Sequence, residues 1–285
     1  MTFSHAAARP ARPPALASPS RRWHDWTVQI RRIRVTRYVT PLREGGSLPA
    51  IVEADDDGMY VVKFRGAGQG PKALIAELLT GEIARALGLR VPEVVLCDVD
   101  ADLARTEPDH EISALIRRSA GLNLALDYLP GSVTFDPMVD KLDPDLASRI
   151  VWFDAYVSNV DRTARNPNML MWHRNLWLID HGASLYFQHK PGWESEQGRA
   201  TESFSLIKNH VLLLKASMLQ RVDATLAETL TPETIDAIVN LIPEAWLADG
   251  GSSELPAVIR EAYRRHLVDR LAPPRLFVEE ATRAR

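Results

Sequence analysis

The sequence predicts an α+β fold in two lobes: a small antiparallel β-rich N-lobe with one helix, then a larger helical C-lobe. Three observations predict it. Between residues 28 and 39, apolar and polar residues alternate, and Asp55-Asp56-Asp57-Gly58 gives a tight-turn signal between two further strand-like runs. Leu74, Ile75, Leu78, Leu79, Ile83, Ala84 and Leu87 then recur at helical spacing. Beyond about residue 140 the helical pattern dominates. These shifts divide the chain into a disordered tail (1–27), the N-lobe (28–131), the C-lobe (132–272) and a C-terminal tail (273–285).

Element by element, residues 28–39 read as one or two strands, 50–54 as the next and 59–64 as a third. The Gly-rich run 66–70 breaks the chain before a helix over 72–87, which Gly88 ends in a C-cap position. Residues 91–96, 111–116 and 124–129 read as further strands, and Pro130-Gly131 closes the lobe. A helix over 143–157 begins at Asp143-Pro144, an N-cap followed by Pro at the first helical position. Residues 169–172 and 176–179 read as a buried hairpin turning at His173-Arg174-Asn175. Helices are expected at 206–226, 232–241 and 254–271. A β-rich lobe against a helical one leaves a cleft, the usual place for a ligand.

Composition narrows the function. The chain has 285 residues and is 46% apolar, enough for a substantial core. A net charge of −3 argues against a dedicated nucleic-acid binder. The single cysteine, Cys97, excludes a disulfide framework and a Cys-rich zinc site, and reads as packing after a buried strand. It fits a reducing compartment, and a cytoplasmic location is expected. No apolar run reaches the length of a membrane span. Residues 1–20 hold Arg9 and Arg12 but no apolar core, so no secretory signal is expected there.

The chemistry concentrates in three short runs: Asn159-Val160-Asp161-Arg162, Asn166-Pro167-Asn168 and Ile179-Asp180-His181-Gly182. An Asp, an Asn a few residues on and a second Asp after a short apolar run is what phosphoryl transfer from a Mg-nucleotide requires. One carboxylate, Asp161, orients or deprotonates the accepting hydroxyl. The hairpin brings Asn168, before its first strand, beside Asp180, after its second, where amide and carboxylate oxygens can hold Mg²⁺. Upstream, Lys63 on the third strand can reach phosphates if an anion holds it. Glu77 and Glu82 on the next helix compete for that place, and Glu77 is favoured because it lies between the apolar positions Leu74 and Leu78. Gly45-Gly46-Ser47 offers backbone N–H groups to an anion. The Gly66, Gly68 and Gly70 cluster lacks the Gly-x-x-x-x-Gly-Lys-Ser/Thr pattern and reads as a connection.

With Lys63, Glu77, Asp161, Asn168 and Asp180 in this order, the chain resembles HipA-like kinases over about residues 35–270. The notable segments are Phe153-Asp154-Ala155-Tyr156-Val157-Ser158-Asn159-Val160-Asp161-Arg162, Ile179-Asp180-His181-Gly182 and Leu89-Arg90-Val91-Pro92. That family is grouped with phosphatidylinositol 3-/4-kinase-like folds, distant relatives of protein kinases. The resemblance implies a bilobal protein-kinase-like fold and an ATP- and Mg²⁺-dependent kinase. Asp161 would act on the acceptor hydroxyl, Asn168 and Asp180 would bind Mg²⁺, and Lys63 would hold the phosphates. Leu126 and Tyr128, in the 126–129 hinge, would lie near adenine, and Gly45, Gly46 and Ser47 would cover the phosphates. Kinases commonly place the metal Asn five residues after the Asp, which here is Asn166; Asn168, at seven, is preferred because it directly precedes the apolar strand, and Asn166 is the alternative metal ligand.

The acceptor is a hydroxyl, first a protein Ser or Thr and alternatively a lipid or small molecule. A nucleotide-binding pseudokinase serving as an interaction module is the reading from another class, and retention of Lys63, Asp161, an Asn and Asp180 argues against it. A metal hydrolase using Asp161, Asp180, His181 and His173 lacks a His-Glu-x-x-His cluster, and a serine hydrolase lacks a Gly-x-Ser-x-Gly elbow.

Overall fold

Strands β1 (Arg32–Pro41), β2 (Ala50–Ala54) and β3 (Met59–Lys63) form the antiparallel start of a five-stranded barrel, completed by β4 (Val94–Val99) and β5 (Gly121–Asp127). The computed structural model describes residues 29–42, 48–195, 199–252 and 254–285. The tail expected over 1–27 lies outside them. The barrel order is β1-β2-β3-β5-β4, closed by parallel pairing of Arg32–Arg34 in β1 with Leu96–Asp98 in β4. Closure removes the open edges that a five-stranded sheet would otherwise expose. Ile33 and Val35 point into the barrel with Val52, Val62, Val95, Cys97 and Ala125, while Arg32 and Arg34 face out. Asp57 in the β2–β3 turn has φ 62°, and a Cβ on Gly58 would lie 2.7 Å from the Tyr60 ring, so glycine is required there.

Helix α1 (Pro71–Ala86) is buried on nearly all sides, because the barrel covers one face and the helical half the other. It ends in a Schellman motif: Gly88 at φ 73° lets Leu89 N–H bond Ala84 O at 2.9 Å and Gly88 N–H bond Arg85 O at 3.0 Å. The strand expected at 111–116 is instead part of a helix, α2 (His110–Arg118). The Asp109 carboxylate caps it, accepting the Glu111 N–H at 2.9 Å. Ile112, Leu115 and Ile116 are buried at spacing three and four, the helical period, against the barrel core. The β-rich half therefore carries two α-helices, not one.

Helix α3 (Pro144–Tyr156) starts at its Asp143 cap and leads into the candidate site. There β6 (Val133–Thr134), β7 (Met169–Trp172) and β8 (Asn175–Leu178) form a second small sheet. The single helix expected at 206–226 is a correction: residues Ser205–Asn209 and Leu213–Lys215 are 3₁₀ turns, and only α4 (Leu219–Thr229) is α-helical. The intervening His210 bridges Thr163, and Val211 spends its N–H on Arg162 O at 3.1 Å, which an α-helix would not allow.

Helices α5 (Pro232–Val239), α6 (Glu244–Ala248) and α7 (Pro256–Leu271) follow, and the expected C-terminal tail contains α8 (Leu276–Ala284). Phe277 of α8 is fully buried against the Trp152 and Tyr156 rings of α3, with centroids 5.4 and 5.9 Å away, so this segment is part of the core. Among the described residues, no helix is long and apolar enough to cross a membrane.

Candidate active site

The β7–β8 hairpin turns at His173 and Arg174, with φ 46° and 61°, the paired positive values that match strand twist in a two-residue turn. At its open end Ile179 N–H bonds Asn168 O at 3.0 Å, which sets Asn168 beside the residue preceding Asp180. Asn168 and Asp180 both lie in the left-handed region, φ 48° and 56°. Asn and Asp tolerate that region better than most side chains.

Lys63, at the end of β3, reaches Asp180 Oδ1 at 2.5 Å and Glu77 Oε2 at 3.6 Å. Glu82, the competing carboxylate, instead lies 3.6 Å from Arg85 Nε. Glu77 is 1% exposed, Lys63 11% and Asp180 41%, so the charges run from a sealed interior out to an accessible carboxylate. Burial opposes the Lys63 charge, but Glu77 and Asp180 together outweigh it and raise its pKa. Burial likewise opposes ionisation of Glu77, and the Lys63 charge with the nearby His181 overcomes it, taking the carboxyl down to about 2. His181 Nδ1 lies 3.4 Å from Glu77 Oε1, and among the described residues neither Glu77 oxygen has a hydrogen-bond partner. Glu77 is thus held chiefly by the Lys63 charge, with His181 beside it.

Asp161 follows α3 by five residues. Its Oδ2 accepts Asn166 Nδ2–H at 2.8 Å and Asn168 Nδ2–H at 3.2 Å, and its N–H bonds Asn159 Oδ1 at 3.1 Å. Asn166 is exposed and Asn168 buried. Behind them Asp154 is sealed in the core, bonding Asn159 Nδ2 at 2.8 Å, Arg162 Nε at 2.6 Å and His210 Nε2 at 2.9 Å. Arg162 Nη1 also reaches the Asn168 carbonyl. Burial disfavours the Asp154 charge, yet Arg162 and the His210 bond hold its carboxyl well below the usual range. Asp154, Asn159 and Arg162 lie in the motif run, but sequence reasoning gave them no part. His210 was missed because it sits in a segment that read as helix.

Leu126 and Tyr128 are placed differently from each other. The Leu126 side chain is buried in the core, and Tyr128, half-buried, spends its N–H on Met59 O at 3.0 Å. The next carbonyl but one, Pro130 O, accepts Trp172 Nε1–H at 3.0 Å, which pins this linker to β7. Gly45, Gly46 and Ser47 lie outside the described residues. The Gly66–Gly70 run is a connection: Gly66 N–H bonds Ser119 Oγ at 3.0 Å, and Ala67 and Gly70 close successive turns.

The oxygen donors here fit a hard divalent cation. With both Asn amide nitrogens turned to Asp161, the amide groups of Asn166 and Asn168 have only oxygen left to offer, and with the accessible carboxylate of Asp180 the donors are of the type that suits Mg²⁺. The hydrolase set is not assembled. His173 stands in the hairpin turn against the Trp172 ring, and His181 is buried by Glu77. Among the described residues, no three His, Cys, Asp or Glu side chains cluster as a metal site.

The sequence pattern of the HipA-like kinases matches residues 35–276, and the chain belongs to that family. It is therefore a kinase, an enzyme of phosphoryl transfer. No curated protein matches the chain in sequence at a significant level. Among solved structures, it is similar to the Helicobacter pylori proinflammatory kinase CtkA, with a TM-score of 0.49 and 14% identity over 87% of this chain and 96% of that one. The Golgi casein kinase with Mn/ADP bound gives a TM-score of 0.45 and 11% identity over 88% of this chain and 73% of that one. A second structure of the Golgi casein kinase gives 0.44 and 13%, over 88% and 72%.

Proposed function

We propose that this kinase moves the γ-phosphoryl group of ATP, with Mg²⁺, to a hydroxyl acceptor. A protein Ser or Thr is the first reading, and a lipid or small-molecule hydroxyl the alternative. The carrying observation is that Lys63, at the end of β3, lies between Glu77 and Asp180, and that Asp180 follows the same hairpin whose other end presents Asn168 to Asp161. Lys63, kept charged by two carboxylates, is the group to hold the phosphates. Asp161, its Oδ2 fixed by two amide donors, takes the proton of the acceptor hydroxyl as its oxygen bonds Pγ. The bond from Pγ to the bridging oxygen breaks, and ADP leaves with the electron pair. Asp180, Asn168 and Asn166 hold Mg²⁺, which when bound neutralises charge on the phosphates. Leu126 and Tyr128 read as the adenine side, and Gly45, Gly46 and Ser47 as the cover over the phosphates. The barrel and the helical half then correspond to the two lobes of a kinase with the nucleotide between them.

The test is the thermal shift produced by ATP with and without Mg²⁺, together with ADP formation. Wild type should show a Mg²⁺-dependent shift. Asp180→Asn should lose it, while Asp161→Asn should keep it and form no ADP. A wild-type protein that shifts with no nucleotide would overturn the proposal and leave an interaction module.

A further inference from the structure

One buried carboxylate governs both flanks of Asp161. Asp154 Oδ1 holds Asn159, whose own Oδ1 accepts the Asp161 N–H, and Asp154 Oδ2 holds Arg162, the residue after Asp161. Arg162 in turn reaches the Asn168 carbonyl, so Asp154 is tied to the start of β7 as well. The third bond to this carboxylate comes from His210, 56 residues downstream.

The hydrogen-bond pattern assigns the His210 tautomer. Nδ1 accepts the Leu212 N–H at 3.0 Å, so its lone pair is in use and the ring proton sits on Nε2. Nε2–H therefore donates to Asp154 Oδ2 at 2.9 Å without adding a second positive charge. The Asp154 charge is met by Arg162, and His210 supplies direction. The backbone around it grips the same loop: Thr163 and His210 form a β-bridge, and Val211 N–H bonds Arg162 O.

We propose that His210 is a positioning residue for phosphoryl transfer, fixing through Asp154 the loop that presents Asp161. The inference rests on the reading of Asp161 as the group acting on the acceptor. With the Nε2–H donor gone, Asp154 is oriented only by Arg162 and Asn159. A carboxylate that swings to meet the guanidinium with both oxygens gives up Asn159, and Asp161 loses the anchor on its N–H. Lys63, Glu77 and Asp180 are held by one another and by His181, so their part in nucleotide binding does not depend on this arrangement.

Two substitutions separate positioning from structure, because each keeps one of the two ring bonds. His210→Gln can place an amide N–H near the Nε2 position and keep the donor to Asp154. His210→Asn can place an amide oxygen near the Nδ1 position and keep the acceptor for Leu212. ADP formation from Mg-ATP, with water and the chain's own hydroxyls as the acceptors present, the ATP thermal shift and the melting temperature are measured on the full chain for both, for His210→Ala and for Asp161→Asn. Small misplacements near the reacting atoms cost on the order of 10- to 100-fold in rate. A kcat loss of that order is expected in His210→Asn and His210→Ala, with recovery toward wild type in His210→Gln and the ATP shift at saturating Mg²⁺ retained in all three. Equal kcat loss in the Gln and Asn variants, or a loss that follows melting temperature instead of the Asp154 donor, overturns the positioning role. Wild-type turnover in His210→Asn, with Asp161→Asn inactive, overturns it while leaving the proposed function standing. Wild-type turnover in Asp161→Asn removes that reading of Asp161, and the inference with it. Should the Ala variant not fold, the Gln and Asn pair carries the test.

Discussion

Lys63 and Asp180 are 117 residues apart in the chain and 2.5 Å apart in space. Their contact ties the end of β3 to the exit of β8, and Glu77 adds α1 to the same point. Three elements from three parts of the sequence thus converge on one ammonium group. Two of its partners differ in kind: Glu77 is sealed from solvent, whereas Asp180 is accessible to a ligand.

Removing Lys63 leaves the Glu77 carboxylate buried without its cation. Breaking a buried pair by deleting one partner costs about 3–5 kcal/mol, more than an exposed pair is worth. Lys63→Met should lower the urea midpoint accordingly, and adding Glu77→Gln should recover much of the loss. A Lys63→Met protein as stable as wild type would show that Glu77 draws its compensation elsewhere.

The pH dependence of stability follows from the same group. The Glu77 carboxyl falls from 4.5 to about 2 on folding. A depressed carboxyl stabilises the fold above its unfolded pKa, and that contribution is lost as pH falls through the folded value. Stability should therefore decline between about pH 4.5 and pH 2, with Asp154, shifted the same way, adding to the decline. Lys63 is shifted upward, so its contribution is full below 10.5 and is lost as pH rises past it. Urea unfolding followed by tryptophan fluorescence should show a shallower acid limb in Glu77→Gln than in wild type.

Asn166 and Asn168 both donate to Asp161, but they differ in setting. Asn168 is buried, lies at φ 48° and immediately precedes β7, whereas Asn166 is exposed. Asn168→Ala should raise the Mg²⁺ concentration needed for the ATP thermal shift by about tenfold or more, by analogy with the loss of groups that support a metal. Asn166→Ala should have the smaller effect. The reverse order would make Asn166 the principal metal ligand.

Helix α8 belongs to the core. Phe277→Ala removes a buried ring that packs on Trp152 and Tyr156 and lies under the Arg270 guanidinium, 4.9 Å from its centroid. Large-to-small changes of this kind cost about 3–5 kcal/mol. A loss below about 1 kcal/mol in chemical denaturation would mean that the helix docks only loosely.

Signals within a few residues of one another carried most of the legible structure. The Asp-Gly turn, the β7–β8 hairpin, the Pro-led helix starts and the Gly88 stop are local events. The errors also have local causes. Ile112, Leu115 and Ile116 carry a helical period over only nine residues, too short a run to stand out from a strand of similar length. Residues 206–218 have helix-like apolar content, yet they close local 3₁₀ turns, and at His210 and Val211 the backbone pairs with Thr163 and Arg162. The region beyond the cis Pro273-Pro274 peptide read as a tail because its apolar face, Phe277, Val278 and Ala281, spans barely two turns.

By itself the sequence determined the strands β2 and β3, the helices α1 and α3, the hairpin that sets Asn168 near Asp180, and the residue types able to handle a phosphoryl group and a hard cation. Only the tertiary structure decided which of two carboxylates on α1 meets Lys63, and that His210 closes on Asp154. The reason is range. Backbone preferences and hydrophobic period act over one turn or one hairpin, whereas a buried charge takes its partner from whatever packing brings within a few ångströms. In the low-dielectric interior that choice is strongly enforced, because a charge left without a partner there costs more than most single contacts can return.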